Sequence, residues 1–265
     1  MKPLSLSFRA ALLALCGVFA LSAEAVEIKS FTKPAVAQKD GSFAMPAGIH
    51  CYSTEQFKID TGKVYRFSIE VKGNDAFPAA SKGYAGFLNY DKDGKRIEIS
   101  MVFAVKGTMT SLAAACNKND TVIKVKDGSR YKPGMRIAYG VADDLSDLPN
   151  KTVKNNIFIK KVTKQKDFWE LTLNRPCNAA YPAGTKVRAH NSGWYQYTNF
   201  YGATVNKKEW KKYTLLISGQ APGNPSRKWT QGTASVKLIV FTSGKRGKGP
   251  AFFFRNVKLE DVTAK

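Results

Sequence analysis

The strongest constraint on the fold is the strict alternation of apolar and polar residues along many short segments. Residues 64–73 (VYRFSIEVKG) place every second side chain, from Tyr65 to Val71, in an apolar row. A period of two is typical of a strand with one buried face and one exposed face. Three later segments, EWKKYTLLISG, ASVKLIVFTSG and AFFFRNVKLEDV, share the pattern. Turn residues separate these segments and helical periodicity is almost absent, so we expect an all-β sandwich.

The same alternation is expected in residues 83–105, which continue the sandwich. The stretch GYAGFLNYDKDGKRI is predicted to form a strand that enters a hairpin, with Asp93 and Gly94 in the turn. After it, RIEISMVFAV is predicted to form a strand with inward side chains at every second residue, Ile97, Ile99, Met101, Phe103 and Val105.

The first 25 residues are expected to be a signal peptide. Lys2 and Arg9 precede an apolar run, and Ala23-Glu24-Ala25 fits the small-x-small cleavage pattern. The run is shorter than the roughly 20 residues of a membrane span. Cys16 raises the alternative of lipidation, but it follows Leu15 and the run continues past it. We therefore expect export without a transmembrane segment, to the periplasm, the cell surface or the medium.

The charge is strongly positive and unevenly distributed. The chain has 42 Lys and Arg residues against 20 Asp and Glu, a formal net charge of +22. Within 189–265, 13 basic residues stand against only three acidic ones. A field of one sign attracts polyanions and accelerates their encounter with the protein. Nucleic acid would satisfy the charge alone, but expected export and the lack of a recognisable nucleic-acid-binding module argue against it.

The order of these strands resembles a known family. KVYRFSIEVKG, the GFLNYDKDGKRI hairpin, EWKKYTLLISG and the closing FFFRNVKLEDV look like the jelly-roll, galactose-binding-like carbohydrate-binding modules. The likeness covers 26–106 and 189–265, and it implies a jelly-roll β-sandwich that binds a polysaccharide. Such modules often hold a structural calcium through an acid on the final strand. Arg255 and Asn256 stand there instead, so we expect no cofactor and no metal.

Residues 107–188 are expected to form an inserted small β-barrel or β-roll that contains two similar sequence segments. Tyr131, Gly134 and Ile137 correspond to Tyr181, Gly184 and Val187, and the glycines are predicted to adopt a positive φ. The insert also resembles a segment of bacterial surface and phage proteins around residues 119–121. Cys116 and Cys177 hold comparable places in the two halves, which favours a disulfide, with three buried thiols as the alternative.

Candidate binding residues lie in three places after the insert. Aromatic rings suit the C–H faces of sugars, and HNSGWYQYTNFYG offers many of them. Basic loops suit carboxylate or sulfate groups, which arginine grips with two hydrogen bonds. The predicted ligand-binding residues are Tyr195, Tyr197 and Tyr201 in the first place, Arg227, Lys228 and Trp229 in the second, and Lys245, Arg246 and Lys248 in the third.

Three functions remain open at this point. The first is a non-catalytic protein that binds an anionic polysaccharide. The second is a cell-surface structural or adhesion protein whose rings and charge meet another protein, the cell envelope or a matrix. A carbohydrate-active enzyme is also considered as a partner. The third is a jelly-roll polysaccharide lyase, for which His190 near Tyr195 and Tyr197 would supply the base. No catalytic pair or zinc spacing is recognisable, so we expect no enzyme activity.

Overall fold

The computed structural model describes residues 25–74, 83–193, 195–198, 209–244 and 249–263, with the backbone alone for 196–198. The predicted signal peptide, apart from Ala25, and Cys16 lie outside these residues. No helix in the described part of the chain is long and apolar enough to cross a membrane.

Short strands occupy the chain up to the insert, and they are followed by one helical turn. They are β1 (Ala25–Glu27), β2 (Val36–Ala37), β3 (Phe43–Met45), β4 (His50–Tyr52), β5 (Phe57–Lys58), β6 (Val64–Gly73), β7 (Gly83–Tyr90), β8 (Arg96–Ile97) and α1 (Ile99–Val102).

The insert and the returning chain are also built from strands. Those of the insert are β9 (Thr110–Ser111), β10 (Val122–Val125), β11 (Arg136–Tyr139), β12 (Ile159–Lys164), β13 (Trp169–Leu173) and β14 (Lys186–His190). Those of the returning chain are β15 (Gln196–Thr198), β16 (Lys211–Ser218), β17 (Gln220–Ala221), β18 (Trp229–Thr230), β19 (Ser235–Thr242) and β20 (Phe252–Asp261).

Two antiparallel sheets form the sandwich. The first has the order β16-β6-β20-β3-β2, with β1 also paired to β20. The second has the order β15-β7-β19-β4, with β5 on β19 and β8 on β7. Their inner faces share one core, in which Phe67 of the first sheet meets Phe87 of the second edge to face at 5.4 Å. The expectation of an all-β sandwich is confirmed, while its jelly-roll connectivity stays a prediction.

The insert builds its own apolar cluster. Its sheets have the orders β10-β13-β12 and β11-β14-β9. Side chains of both sheets, including Leu112, Ile123, Leu171 and Val187, pack into a cluster separate from the sandwich core. The predicted boundaries of the insert at 107 and 188 stay a prediction.

The predicted strand over 96–105 is wrong beyond Ile97. Only Arg96 and Ile97 pair with β7, and the chain then turns into α1. The carbonyl of Met101 accepts a hydrogen bond from the Asn150 amide, and that of Val102 accepts one from Gly223. Backbone partners from the insert and a later loop therefore replace a strand neighbour, and local alternation cannot reveal such distant partners.

The two similar sequence segments of the insert lead into strands that pair with each other. β11 and β14 run antiparallel, with Ile137 opposite Ala189. Gly134 and Gly184, one before each strand, have φ of 88° and 81°. The predicted positive φ is therefore confirmed at both glycines.

Replacing Gly134 by alanine should lower the free energy of unfolding by about 1–2 kcal/mol, because an L-residue is strained at this φ. An added Cβ would meet no atom within 4 Å at Gly134 or at Gly249, but only Gly134 has positive φ. G249A is therefore the matched control and should be nearly neutral. Denaturant unfolding measures both, and equal losses would contradict the explanation.

A buried polar network connects the insert to the sandwich. Arg188 pairs with Asp147 at 2.9 Å, and its Nε donates to Nε2 of His190 at 3.2 Å. His190 is 0% exposed, and its Nδ1 lies 2.8 Å from the carbonyl of Ser100 in α1. Burial, together with the nearby Arg188 charge, lowers the pKa of His190 to about 4. The neutral ring that results can accept from Arg188 and donate to Ser100.

Stability should therefore fall as the pH falls from about 6.5 to 4. Within this window the unfolded chain binds a proton at His190 that the folded protein excludes, so protonation favours unfolding. The loss from this residue approaches about 3 kcal/mol at the acid end. Denaturant unfolding at several pH values should show that H190N, which cannot titrate, is less stable at pH 7 but loses less on acidification. A constant gap between the two proteins from pH 7 to 4.5 would refute this.

Candidate functional site

The outer face of the second sheet carries a concentration of aromatic side chains, which we call the aromatic face. Core side chains of this sheet, such as Phe87, Leu238 and Val240, point inward. Because side chains alternate along a strand, their neighbours point outward. The aromatic face consists of His50 and Tyr52 from β4, Tyr84 from β7, Phe241 from β19, and Tyr195 just before β15.

Strand register places three of these rings in one row. Phe241 lies opposite both His50 and Tyr84. The His50 and Phe241 rings stack at 4.3 Å, and the Phe241 and Tyr84 rings at 5.7 Å. Since the ring faces within the row are turned toward one another, their edges are what remains for a ligand. Such edges contribute apolar contact together with the tyrosine hydroxyl and the imidazole nitrogens.

Tyr195 reaches across the sheet to this row. Its ring lies 5.1 Å from that of His50 and shares a hydrogen bond with the side chain of Tyr52. The next outward-facing row along the strands contains Tyr52, Ile239 and Gly86. Because Gly86 has no side chain, it leaves room for the Tyr195 side chain to extend over the sheet. Ile239 is 0% exposed although it points away from the core. The aromatic side chains thus cover the middle of the sheet and leave their own outer surfaces half-buried.

Two titratable members of the aromatic face are neutral near pH 7. Burial lowers the pKa of His50 below its usual value. Burial, together with the hydrogen bond to Tyr195, raises the pKa of Tyr52 to about 12. The rings therefore present a face that is polar but uncharged.

Positive charge borders the rings at the other end of the same face. Arg96 is paired opposite Tyr90, and its guanidinium lies 5.1 Å from the centre of the Tyr195 ring. Lys237 occupies the next row and Lys58 pairs opposite Ser235. Among the described strand residues of this outer face, none is acidic.

The outer face of the first sheet differs because its arginines are paired with acidic residues. There Arg255 pairs with Glu70 at 2.9 Å and Arg66 lies 3.8 Å from Glu260. The Arg255 guanidinium also lies 4.1 Å from the centre of the Trp210 ring. Its arginines thus have acidic partners, whereas no described strand position on the outer face of the second sheet carries an acid.

The loop that carries Arg227, Lys228 and Trp229 contacts the aromatic face, but Trp229 does not belong to a binding site. The Asn224 amide donates to the carbonyl of Tyr195 at 3.4 Å, and Arg227 and Lys228 are exposed. Trp229 is 0% exposed and packs against Phe87 and Tyr65 at 5.1 and 5.7 Å. The prediction that Trp229 binds ligand is therefore wrong, because its ring fills the sandwich core.

Several predicted site residues lie outside what the structure describes. The backbone of Tyr197 pairs with Gly86, but its side chain is not among the described residues. Tyr201, Lys245, Arg246 and Lys248 lie outside the described residues altogether. Their roles stay predictions.

The sequence predictions missed most of the aromatic face. His50, Tyr52, Tyr84, Phe241 and Arg96 were not among the candidates. Their signal was the alternation itself, since Tyr84 alternates with the inward Ala85, and Phe241 with the inward Val240. What the sequence did not reveal is that four separate strands bring these residues to one face.

The groups considered for chemistry have structural partners. His190 is buried with both ring nitrogens engaged, so it is not available as a surface base beside Tyr195. Asp91 accepts hydrogen bonds from the amides of Asp93 and Lys95, as expected of a hairpin turn, and pairs with Lys151 at 2.8 Å. In the described ranges, no group of three or more His, Cys, Asp or Glu residues could hold a metal ion.

Comparisons with known proteins return no relative from which a function could be transferred. No protein-family model, no curated protein and no solved structure matches this chain. The likeness to carbohydrate-binding modules therefore stays a prediction, and the case for a function rests on the residues of the aromatic face.

Proposed function

We propose that this protein is an exported, non-catalytic carbohydrate-binding protein and that an anionic polysaccharide lies along its aromatic face. The observation that carries the proposal is the shared outer face of β4, β7 and β19. Half-buried rings occupy one end of it, the Arg96 guanidinium lies beside the Tyr195 ring, and Lys237 and Lys58 lie toward the other end. No acid is present among its described strand residues.

The arrangement suits a sugar polymer for two physical reasons. Ring edges and hydroxyl groups can replace water around C–H groups and sugar hydroxyls at the same time. The rings are also held before binding, since stacking and the Tyr52–Tyr195 hydrogen bond fix their positions. A site that is already ordered loses less conformational entropy when a ligand binds.

The basic end gives the site its preference for negative charge. From the row of Tyr84 to the row of Tyr90 the strand advances six residues, or about 20 Å. A chain of several sugars laid along β7 would therefore contact the rings and the Arg96 guanidinium beside Tyr195, and would reach Lys237 and Lys58 toward the other end. Each exposed ion pair contributes about 0–1 kcal/mol and is screened by salt, so binding should be moderate and salt-sensitive.

Export is part of the same proposal and rests on the leader alone. The positive start, the apolar run and the Ala23-Glu24-Ala25 site are the sequence features that support it. An exported protein would meet polysaccharides in the cell envelope or the surroundings.

Removing the Tyr195 ring should weaken binding about tenfold, because Tyr195 joins Tyr52, His50 and Arg96. Affinity gel electrophoresis of Y195A in gels containing alginate, polygalacturonate or heparin, with dextran as the neutral gel, measures the change. W210A is the matched control, since it removes a half-buried ring from the other sheet and should bind normally. Normal binding by Y195A would reject the aromatic face as the site.

Local charge can be separated from net charge by two double variants. R96A/K237A removes two positive charges from the aromatic face, whereas K124A/K161A removes two from the insert. The first pair should weaken binding to anionic gels about tenfold and reduce its salt dependence, and the second should weaken it less than twofold. Equal losses would mean that net charge attracts the polymer without a defined site.

The same samples distinguish the other functions. A lyase would produce unsaturated sugar ends, whose ultraviolet absorbance grows with time. An adhesion or structural subunit would show no retardation in any gel, together with self-association on a sizing column. Either result would replace the proposal.

A further inference from the structure

Two cysteine sulfurs meet inside the insert, away from the aromatic face. The Sγ atoms of Cys116 and Cys177 are 3.1 Å apart, and both residues are buried, at 2% and 4% exposure. We propose that this pair is a redox-controlled cross-link, present as a disulfide when the protein meets a disulfide oxidant. The sulfurs need to approach by about 1 Å to reach the disulfide bond length of about 2.05 Å.

The backbone holds the two cysteines in place on both sides. The Cys116 amide donates to the carbonyl of Tyr181, and the Tyr181 amide donates back to Cys116. The Cys177 amide donates to Asp120, and its carbonyl accepts from Asn119. The backbone of each cysteine is thus hydrogen-bonded to the segment that follows the other cysteine. These backbone hydrogen bonds hold the two side chains close together.

The bond would close most of the insert into a loop. Cys116 and Cys177 are 61 residues apart, and β10 to β13 all lie between them. Both cysteines belong to the apolar cluster shared by the two insert sheets. A link here restricts the unfolded insert and therefore stabilises its folded form.

The two cysteines differ in their surroundings, although both are buried. Cys177 lines a small surface cleft together with Tyr139, Thr152, Lys154 and Asn178. The Tyr139 hydroxyl lies 3.3 Å from the Cys177 sulfur, and its ring stacks on Tyr181 at 3.9 Å. Cys177 lines this cleft and Cys116 does not. We therefore expect an oxidant to reach Cys177 first when the cleft opens, and the Lys154 ammonium favours an anionic oxidant such as oxidised glutathione.

The chemistry balances with such a disulfide oxidant. The Cys177 thiol loses its proton and attacks one oxidant sulfur, which forms a mixed disulfide and releases one thiol. The Cys116 thiol then loses its proton and attacks the Cys177 sulfur, which releases the second thiol. The protein loses two electrons and two protons, and the oxidant gains them.

The environment of Cys116 makes the second step of this exchange slow. Burial, together with the hydrogen bond to Cys177, raises the pKa of the Cys116 thiol to about 12. Since the thiolate is the reacting form, little of it is present near pH 7. The same burial slows the attack of external thiols on the finished disulfide, so its reduction is slow as well.

Peptide mapping tests the link directly. The reduced full chain is incubated with oxidised glutathione, alkylated, and digested with trypsin without reduction. The sequence places Cys116 in the tryptic peptide 107–118 and Cys177 in 167–186, because Pro176 protects the bond after Arg175. Mass spectrometry should find the two peptides joined. Recovery of both as alkylated peptides, or as separate glutathione adducts, would overturn the proposal.

Single variants test the order of attack. In C116S the glutathione adduct should accumulate on Cys177, since no second thiol can displace it. In C177S the adduct on Cys116 should form at least tenfold more slowly. Equal rates would overturn the assignment of Cys177 as the first sulfur to react.

Thermal melting gives a readout that does not depend on digestion. Oxidation should raise the Tm by on the order of 5–10 °C. C51A is the matched control, because Cys51 lies in the sandwich core beside Met45 and should not change the shift. C116S should show no shift. A shift that persists in C116S would assign the stabilisation to other chemistry.

Discussion

The packing of two sheets against each other is the constraint from which the rest of the structure follows. Phe67, Phe87 and Trp229 meet between the sheets, and all three are almost completely buried. Burying such large rings contributes several kcal/mol, and it determines which side of every strand faces inward. On β7 the burial of Phe87 commits Tyr84 and Gly86 to the outside, and the same rule assigns the partner positions on β4 and β19.

The two outer faces of the sandwich differ in how their charges are balanced. On the first sheet, Glu70 and Glu260 neutralise Arg255 and Arg66. On the second sheet, Arg96 and Lys237 share the face with uncharged rings. Since all of this belongs to one strongly basic chain, the difference arises from the positions of a few acids and not from composition. An anionic ligand would gain most on the face whose described strand positions carry no acid.

The insert is attached through polar groups as well as backbone contacts. Arg188, Asp147 and His190 form a buried chain that ends on the carbonyl of Ser100 in α1, and Lys151 pairs with Asp91 at the β7–β8 hairpin. Buried polar groups are costly when they are unpaired. These polar contacts therefore favour the one arrangement of the insert in which all of them are made. The short helix α1 exists because the chain must turn from the sandwich toward these partners.

The sequence alone determined the class of fold, the long strands of the sandwich and the turns at two glycines. Alternation in β6, β7, β16, β19 and β20 and positive φ at Gly134 and Gly184 depend on neighbouring residues, and local chemistry decides such features. The tertiary structure decided what these strands bring together. Trp229 sits in a loop-like sequence but fills the core, and residues 99–102 alternate like a strand but form α1, because partners distant in sequence compete for them. The aromatic face likewise joins residues from 50 to 241, and only strand register, set by packing of the whole sandwich, places them side by side.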